Sequence, residues 1–223
     1  MGTGLVALIL ALLLPLGAAP NAVLSERLQQ FPEWQLPAPL PRPRRGDLEY
    51  PSWFEGSWQL KASDGVSAQV RFKRRSDGAV VGERAANAMA IGAAVLGEAL
   101  LQVEDDPSNP NRQLARLSEE RQLDTRITGR LSEQPSEGEF LADELSLQLF
   151  KQAGLPPRSS RIETLSRYAL VSPDQISGEQ WQASYGSPEE GLAAKARSSQ
   201  RVSLQLKRLP EHQLADEVHN GAR

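Results

Sequence analysis

Three carboxylates, Asp143, Glu144 and Glu163, fall on stretches that read as strands. A pair of carboxyl groups flanking a cleft is what acid-assisted glycoside cleavage needs, one to protonate the leaving oxygen and one to attack or to activate water. A solvated strand face accounts for the same residues, and no supporting partner accompanies them in the sequence. The two histidines, His212 and His219, lie in a polar tail past the last predicted strand. That argues against a Ser-His-Asp triad on the body of the fold and rules out a His-Glu-x-x-His metal helix. There is no cysteine, so thiolate nucleophiles, thiolate zinc sites and disulfides are excluded too. Gly-rich phosphate loops and a Gly-x-Ser-x-Gly elbow are also missing. Enzyme activity is therefore the lesser reading, and no catalytic residue, metal ligand or cofactor is assigned.

Two other groupings carry binding chemistry. Residues 104–113 are rich in oxygen donors, with Glu104, Asp105, Asp106, Asn109 and Asn111 around two prolines. They could surround calcium, but no spacing of the twelve-residue calcium loop is met. The alternative is that Asp and Asn cap turns while Arg112 pairs with the acids. As a rigid loop face, Asp106, Asn109, Asn111 and Arg112 are candidates for contact with a protein partner. The second grouping is aromatic: Trp58, Phe72, Tyr168, Trp181 and Tyr185 come from separate predicted strands. Brought inward together they would wall a site for a small hydrophobic ligand, with Arg167, Tyr168 or Arg208 as polar anchors. Equally, the rings could simply fill the interior.

These residues need a scaffold, and the pattern for one is present. Around residues 50–60, Phe54, Gly56, Trp58, Leu60 and Ala62 alternate with Glu55, Ser57, Gln59 and Lys61, as in a half-buried strand. Ser63-Asp64-Gly65 and Ser76-Asp77-Gly78 signal turns, Val66, Ala68, Val70 and Phe72 share one face of the strand between them, and Ala79-Val80-Val81 after the second turn continues the meander as a further strand. Residues 83–98 are alanine-rich and broken by Gly92 and Gly97, which predicts a short helix or loop covering a barrel opening. Strands follow at 99–103, 113–117, 122–129, 140–149, 161–168, 179–185 and 199–208. The spacing predicts an all-β fold, a single antiparallel, mostly up-and-down barrel of about 8–10 strands.

The ends divide differently. Residues 5–16 are almost wholly apolar, short for a membrane span and suited to a secretory leader, so residues 1–22 read as a signal peptide. Residues 23–49, with five prolines between positions 32 and 43, read as an extended linker. The domain then covers 50–209, and 210–223 form a loose tail. A net charge of −3 over 223 residues creates no field for nucleic acid.

Gly56-Ser57-Trp58 in the first strand, with Arg208 ending the last, resembles the lipocalin and wider calycin pattern, in which an arginine packs over the barrel's tryptophan. A broader likeness covers residues 50–208. Pro51-Ser52-Trp53-Phe54-Glu55-Gly56-Ser57-Trp58, Arg84-Ala85-Ala86-Asn87, the 106–113 run, Glu163-Thr164-Leu165-Ser166-Arg167-Tyr168 and Tyr185-Gly186-Ser187-Pro188 resemble an uncharacterised domain family of cyanobacteria and plastids. The resemblance implies a periplasmic or thylakoid-lumenal setting and brings no settled activity. The expectation is an exported, non-enzymatic barrel binding a small pigment- or lipid-like molecule near a photosynthetic membrane. The competing expectation is an assembly module with a filled barrel, docking a membrane-associated protein through its 106–113 loop and proline-rich arm.

Overall fold

The computed structural model describes residues 22–43 and 45–210; the expected leader and tail, with both histidines, lie outside the described residues apart from their last and first positions. In chain order the elements are α1 (Val23–Gln29), β1 (Gln35–Leu36), β2 (Glu49–Tyr50), β3 (Gly56–Ala62), β4 (Ser67–Arg74) and β5 (Val80–Gly82). Then come α2 (Arg84–Leu96), β6 (Leu100–Asp106), β7 (Asn109–Leu117), β8 (Arg121–Ser136), β9 (Glu139–Lys151) and β10 (Arg158–Ser172). The chain closes with β11 (Gln175–Tyr185), β12 (Ala194–Lys195) and β13 (Ser198–Arg208). All ten strands read from the alternation pattern are present. The three extra ones, β1, β2 and β12, are two residues long, too short to carry a period.

Eleven strands form one antiparallel sheet in the order β2-β5-β4-β3-β13-β11-β10-β9-β8-β7-β6. The run from β6 to β11 is a plain meander, and β13 brings the end of the chain against β3, with Arg208 directly opposite Trp58. Phe54, just before β3, contacts both Phe72 of β4 and Phe140 of β9, at ring distances of 4.9 and 6.1 Å. β4 and β9 stand five places apart in the sheet order, so they meet only because the sheet curls. Among the described residues the edge strands β2 and β6 do not pair with each other. Instead α2 packs against both β4 and β6 and fills the seam of a barrel-like sheet. Its small residues permit this close approach: a Cβ on Gly92 would come 2.5 Å from Leu100 Cδ2. The expected cover, a short helix or loop, is a helix and forms part of the wall.

β4 buries Ala68, Val70 and Phe72 and exposes the residues between them, as its alternation requires. Strands β9 to β11 behave differently because they are buried on both faces. Phe140, Ala142 and Ile176 point into the curl, whereas Leu141, Leu165, Trp181, Ala183 and Tyr185 point outward into a second core.

That second core corrects the expected linker. Residues 23–41 fold back over the outer face of the sheet: α1 buries Leu24 and Arg27, Trp34 is fully buried, and β1 pairs with β12. The prolines do keep 37–43 out of helix, but an extended chain can be packed as well as solvated. Here the Arg130 amide donates to the Pro41 carbonyl at 2.9 Å, and Leu40 lies where a Cβ on Gly129 would come within 2.8 Å.

Candidate functional site

Between α2 and the concave face lies a cavity of about 280 Å³. Its apolar wall comes from Leu48, Leu60, Val70, Phe72, Ile91 and Leu206, drawn from three strands, the helix and the strap before β2. These side chains meet because even-numbered positions of β13 and β3 face inward together, as do those of β4. Its polar side is made by Tyr50, Arg84, Gln113, Arg130, Glu144 and Tyr168. Arg130 Nε donates to Glu144 Oε1 at 2.6 Å and its Nη1 to the Gly46 carbonyl at 2.9 Å. Arg84 Nη1 sits 3.3 Å from Asp47 Oδ1. The Tyr50 ring is wedged edge-on against Phe54 and Phe72, at 4.9 and 4.8 Å between ring centres. Burial, reinforced by Tyr168 and Glu144, pushes the Tyr50 phenol well above its ordinary value, with Arg130 and Arg84 opposing only in part. Burial raises Tyr168 as well. Both phenols are therefore neutral hydrogen-bonding groups.

At one end of the curl Arg208 acts as a lock. Its guanidinium lies 4.2 Å from the centre of the Trp58 ring, as the Gly-x-Trp pattern suggests. It also donates to the carbonyls of Glu55 at 2.6 Å, Pro173 at 3.0 Å and Trp53 at 3.3 Å. Gly56 leaves room for it twice over: its φ is +116°, and a Cβ there would come 2.6 Å from Arg208 Nη1. Beneath, the fully buried Trp58 indole donates to the Phe54 carbonyl at 2.7 Å. The arginine's donors are thus committed to backbone and ring.

On the outer face a polar cluster is sealed under the N-terminal arm. Arg27 Nε and Nη2 each reach a different oxygen of Glu163 at 2.8 Å, a paired fork geometry. The Tyr185 hydroxyl donates to Glu163 Oε2. Arg27 also packs over Trp34, whose indole returns a 2.8 Å hydrogen bond to the Arg27 carbonyl. Asp143 and Glu163 are both 0% exposed, which corrects their reading as a solvated strand face. The physical reason is the arm, which covers strands that would otherwise meet water. Both Asp143 oxygens lack a hydrogen-bond partner, and burial followed by the nearby Glu163 drives this carboxyl up to about 8. An ionised acid pair offers acceptors only, so the proton that remains on Asp143 is also the donor the pair needs. No substrate can reach two wholly buried carboxylates, and glycoside chemistry does not fit them.

A family model described as Domain of unknown function (DUF6816) matches residues 61–208. The chain belongs to that family. Comparison with curated proteins and with solved structures gives no match. The DUF6816 segment holds Phe72, Glu144, Tyr168 and Arg208 as well as the acid pair; Gly56, Trp58, Tyr50 and the Arg27 arm precede it.

Within and around the DUF6816 segment the predicted aromatic set is divided, not gathered. Phe72 and Tyr168 line the cavity and Trp58 lies in the same inner core. Trp181 and Tyr185 lie on the opposite face under the arm. Their odd spacing from the inward Ile176 and Gly178 on β11 puts them there, a parity that was available in the sequence. Arg167 shares the outward parity and pairs with Glu139 at 2.6 Å, away from the cavity. The expected loop at 104–113 is mostly the paired strands β6 and β7, turning at Pro107-Ser108. Arg112 does pair with acids, at 2.7 Å from Asp124 and 3.3 Å from Asp106, and Asp106 also accepts from the Ser108 amide and hydroxyl. Asn109 accepts from the backbone of the buried Asn111. No group of three metal-ligating side chains is assembled among the described residues. Tyr50, Arg84, Arg130 and Glu144 went unassigned as site residues. The Arg84 run stood out through the family likeness, and Glu144 only as a carboxylate considered for glycoside chemistry.

Proposed function

We propose that this protein is an exported, non-enzymatic binder of one small, largely apolar molecule, held inside the curled sheet against α2. The observation that carries this reading is the cavity of about 280 Å³, apolar along one wall and bearing a few convergent polar groups at the other. Its volume sits at the lower edge of the roughly 300–1,000 Å³ typical of ligand sites. The ligand is therefore compact, a fragment of the size of a fused ring pair and not a long pigment. The apolar stretch at residues 5–16 supports work in the periplasm or thylakoid lumen. Native mass spectrometry of the protein purified from its own cells tests the proposal. The expected result is a bound mass of a few hundred daltons at most, released on unfolding; a bare chain mass that no added apolar compound shifts would refute it.

One observation favours the second reading, an assembly module. Val95, Leu96 and Leu101 are 61%, 47% and 60% exposed where α2 runs into β6. A membrane-associated protein partner would find an apolar foothold there.

A further inference from the structure

The polar wall of the inner cavity has a feature that bears on ligand class. Every formal charge on it is already answered by the protein. Arg130 spends Nε on Glu144 and Nη1 on the Gly46 carbonyl, and Arg84 faces Asp47. The Tyr50 phenol differs, since no hydrogen bond from the described residues reaches it. Tyr50 lines the cavity together with Tyr168, Glu144, Arg130 and Arg84. Its ring is held from behind by Phe54, Phe72 and Phe140.

We infer that the cavity selects an uncharged ligand, a compact apolar body bearing one carbonyl or hydroxyl oxygen that accepts a hydrogen bond from Tyr50. The inference rests on the ligand-binding reading above and narrows it to a chemical class. An anion would have to lie beside the Glu144 carboxylate in a site of low dielectric, with no surplus cation to hold it. A cation would meet Arg84 and Arg130 in the same way. A pure hydrocarbon would drive water out and leave the phenol with nothing to bond, a penalty that falls on the complex. A neutral oxygen acceptor avoids all three, and the apolar wall of Leu48, Leu60, Val70 and Ile91 takes the rest of the molecule.

The test uses three probes with one ring system: naphthalene, 2-acetylnaphthalene and 2-naphthoate, titrated against the full chain by calorimetry. The ketone is expected to bind at least tenfold more tightly than either of the others. In Tyr50→Phe the ketone should lose its tenfold advantage over naphthalene, while naphthalene, freed of the penalty of an unbonded phenol, should bind at least as tightly as it does to the wild type and so reports an intact cavity. Binding of 2-naphthoate as tight as the ketone overturns the inference and leaves the ligand-binding reading standing. Equal affinities of wild type and Tyr50→Phe for the ketone overturn it as well. Binding of none of the three overturns both readings together. Should Tyr50→Phe lose naphthalene too, the wild-type ratio of ketone to carboxylate decides, and a ratio below tenfold counts against the inference.

Discussion

Replacing Asp143 by asparagine isolates the buried acid pair, and its effect can be worked from the structure. Two carboxylates share one guanidinium, because Arg27 commits both of its near nitrogens to Glu163 and none to Asp143. Ionising both acids leaves one negative charge buried without compensation. That is why Asp143 rises from 3.8 to about 8. Between those values the folded chain holds a proton that the unfolded chain has released, so stability falls as pH rises across the window and levels off above it. Each pH unit of such a rise is worth about 1.4 kcal/mol, which sets a ceiling on the order of 5 kcal/mol for the ionised state. The real loss is smaller wherever the arm lifts and water reaches the carboxylate. Asparagine keeps the shape, carries no charge and offers Glu163 an amide donor. Urea unfolding of both proteins from pH 5 to pH 9 is the assay. Asp143→Asn should match the wild type within about 1 kcal/mol near pH 5 and exceed it by about 2–4 kcal/mol near pH 8.5. Carboxylates held below their usual range, such as Asp124 beside Arg112, act below this window, and other titrations are common to both proteins. Parallel stability curves for the two proteins would refute the account of the cluster.

Two further substitutions test the parts that hold the site. Gly56→Ala strains a backbone at φ +116° and pushes a methyl into Arg208, so thermal unfolding should show a loss of about 2–3 kcal/mol; a loss below about 0.5 would mean the arginine swings aside freely. Trp34→Ala empties a fully buried site between the arm and the sheet, and should cost about 3–5 kcal/mol in urea unfolding, where a tryptophan in a solvated linker would cost almost nothing.

The alternation in β3 and β4 and the turns at Asp64-Gly65 and Asp77-Gly78 were legible because each is a local signal, whereas the pairing of Arg208 with Trp58 was expected from the resemblance to the Gly-x-Trp barrel pattern. A strand with one wet face announces itself by period two. The sites were less legible for two reasons. Strands β9 to β11 have no wet face along much of their length, so hydrophobicity does not say which ring points where. Tyr50, Arg84, Arg130 and Glu144 sit in four separate parts of the chain and share no spacing that could mark them as one wall. Proline content predicted extended chain at 37–43 correctly, yet carried no information on whether that chain is packed.

The sequence by itself determined an antiparallel sheet, its ten longer strands, a cover of helix or loop and the exclusion of cysteine chemistry. Those follow from residue types and short-range periods. Only the tertiary structure decided that the arm seals Asp143 and Glu163 from water, and that the cavity's charges are paired, Arg130 with Glu144 on the next strand and Arg84 with Asp47. Burial and long-range pairing depend on which distant segments come together, and chain-local pattern does not encode that.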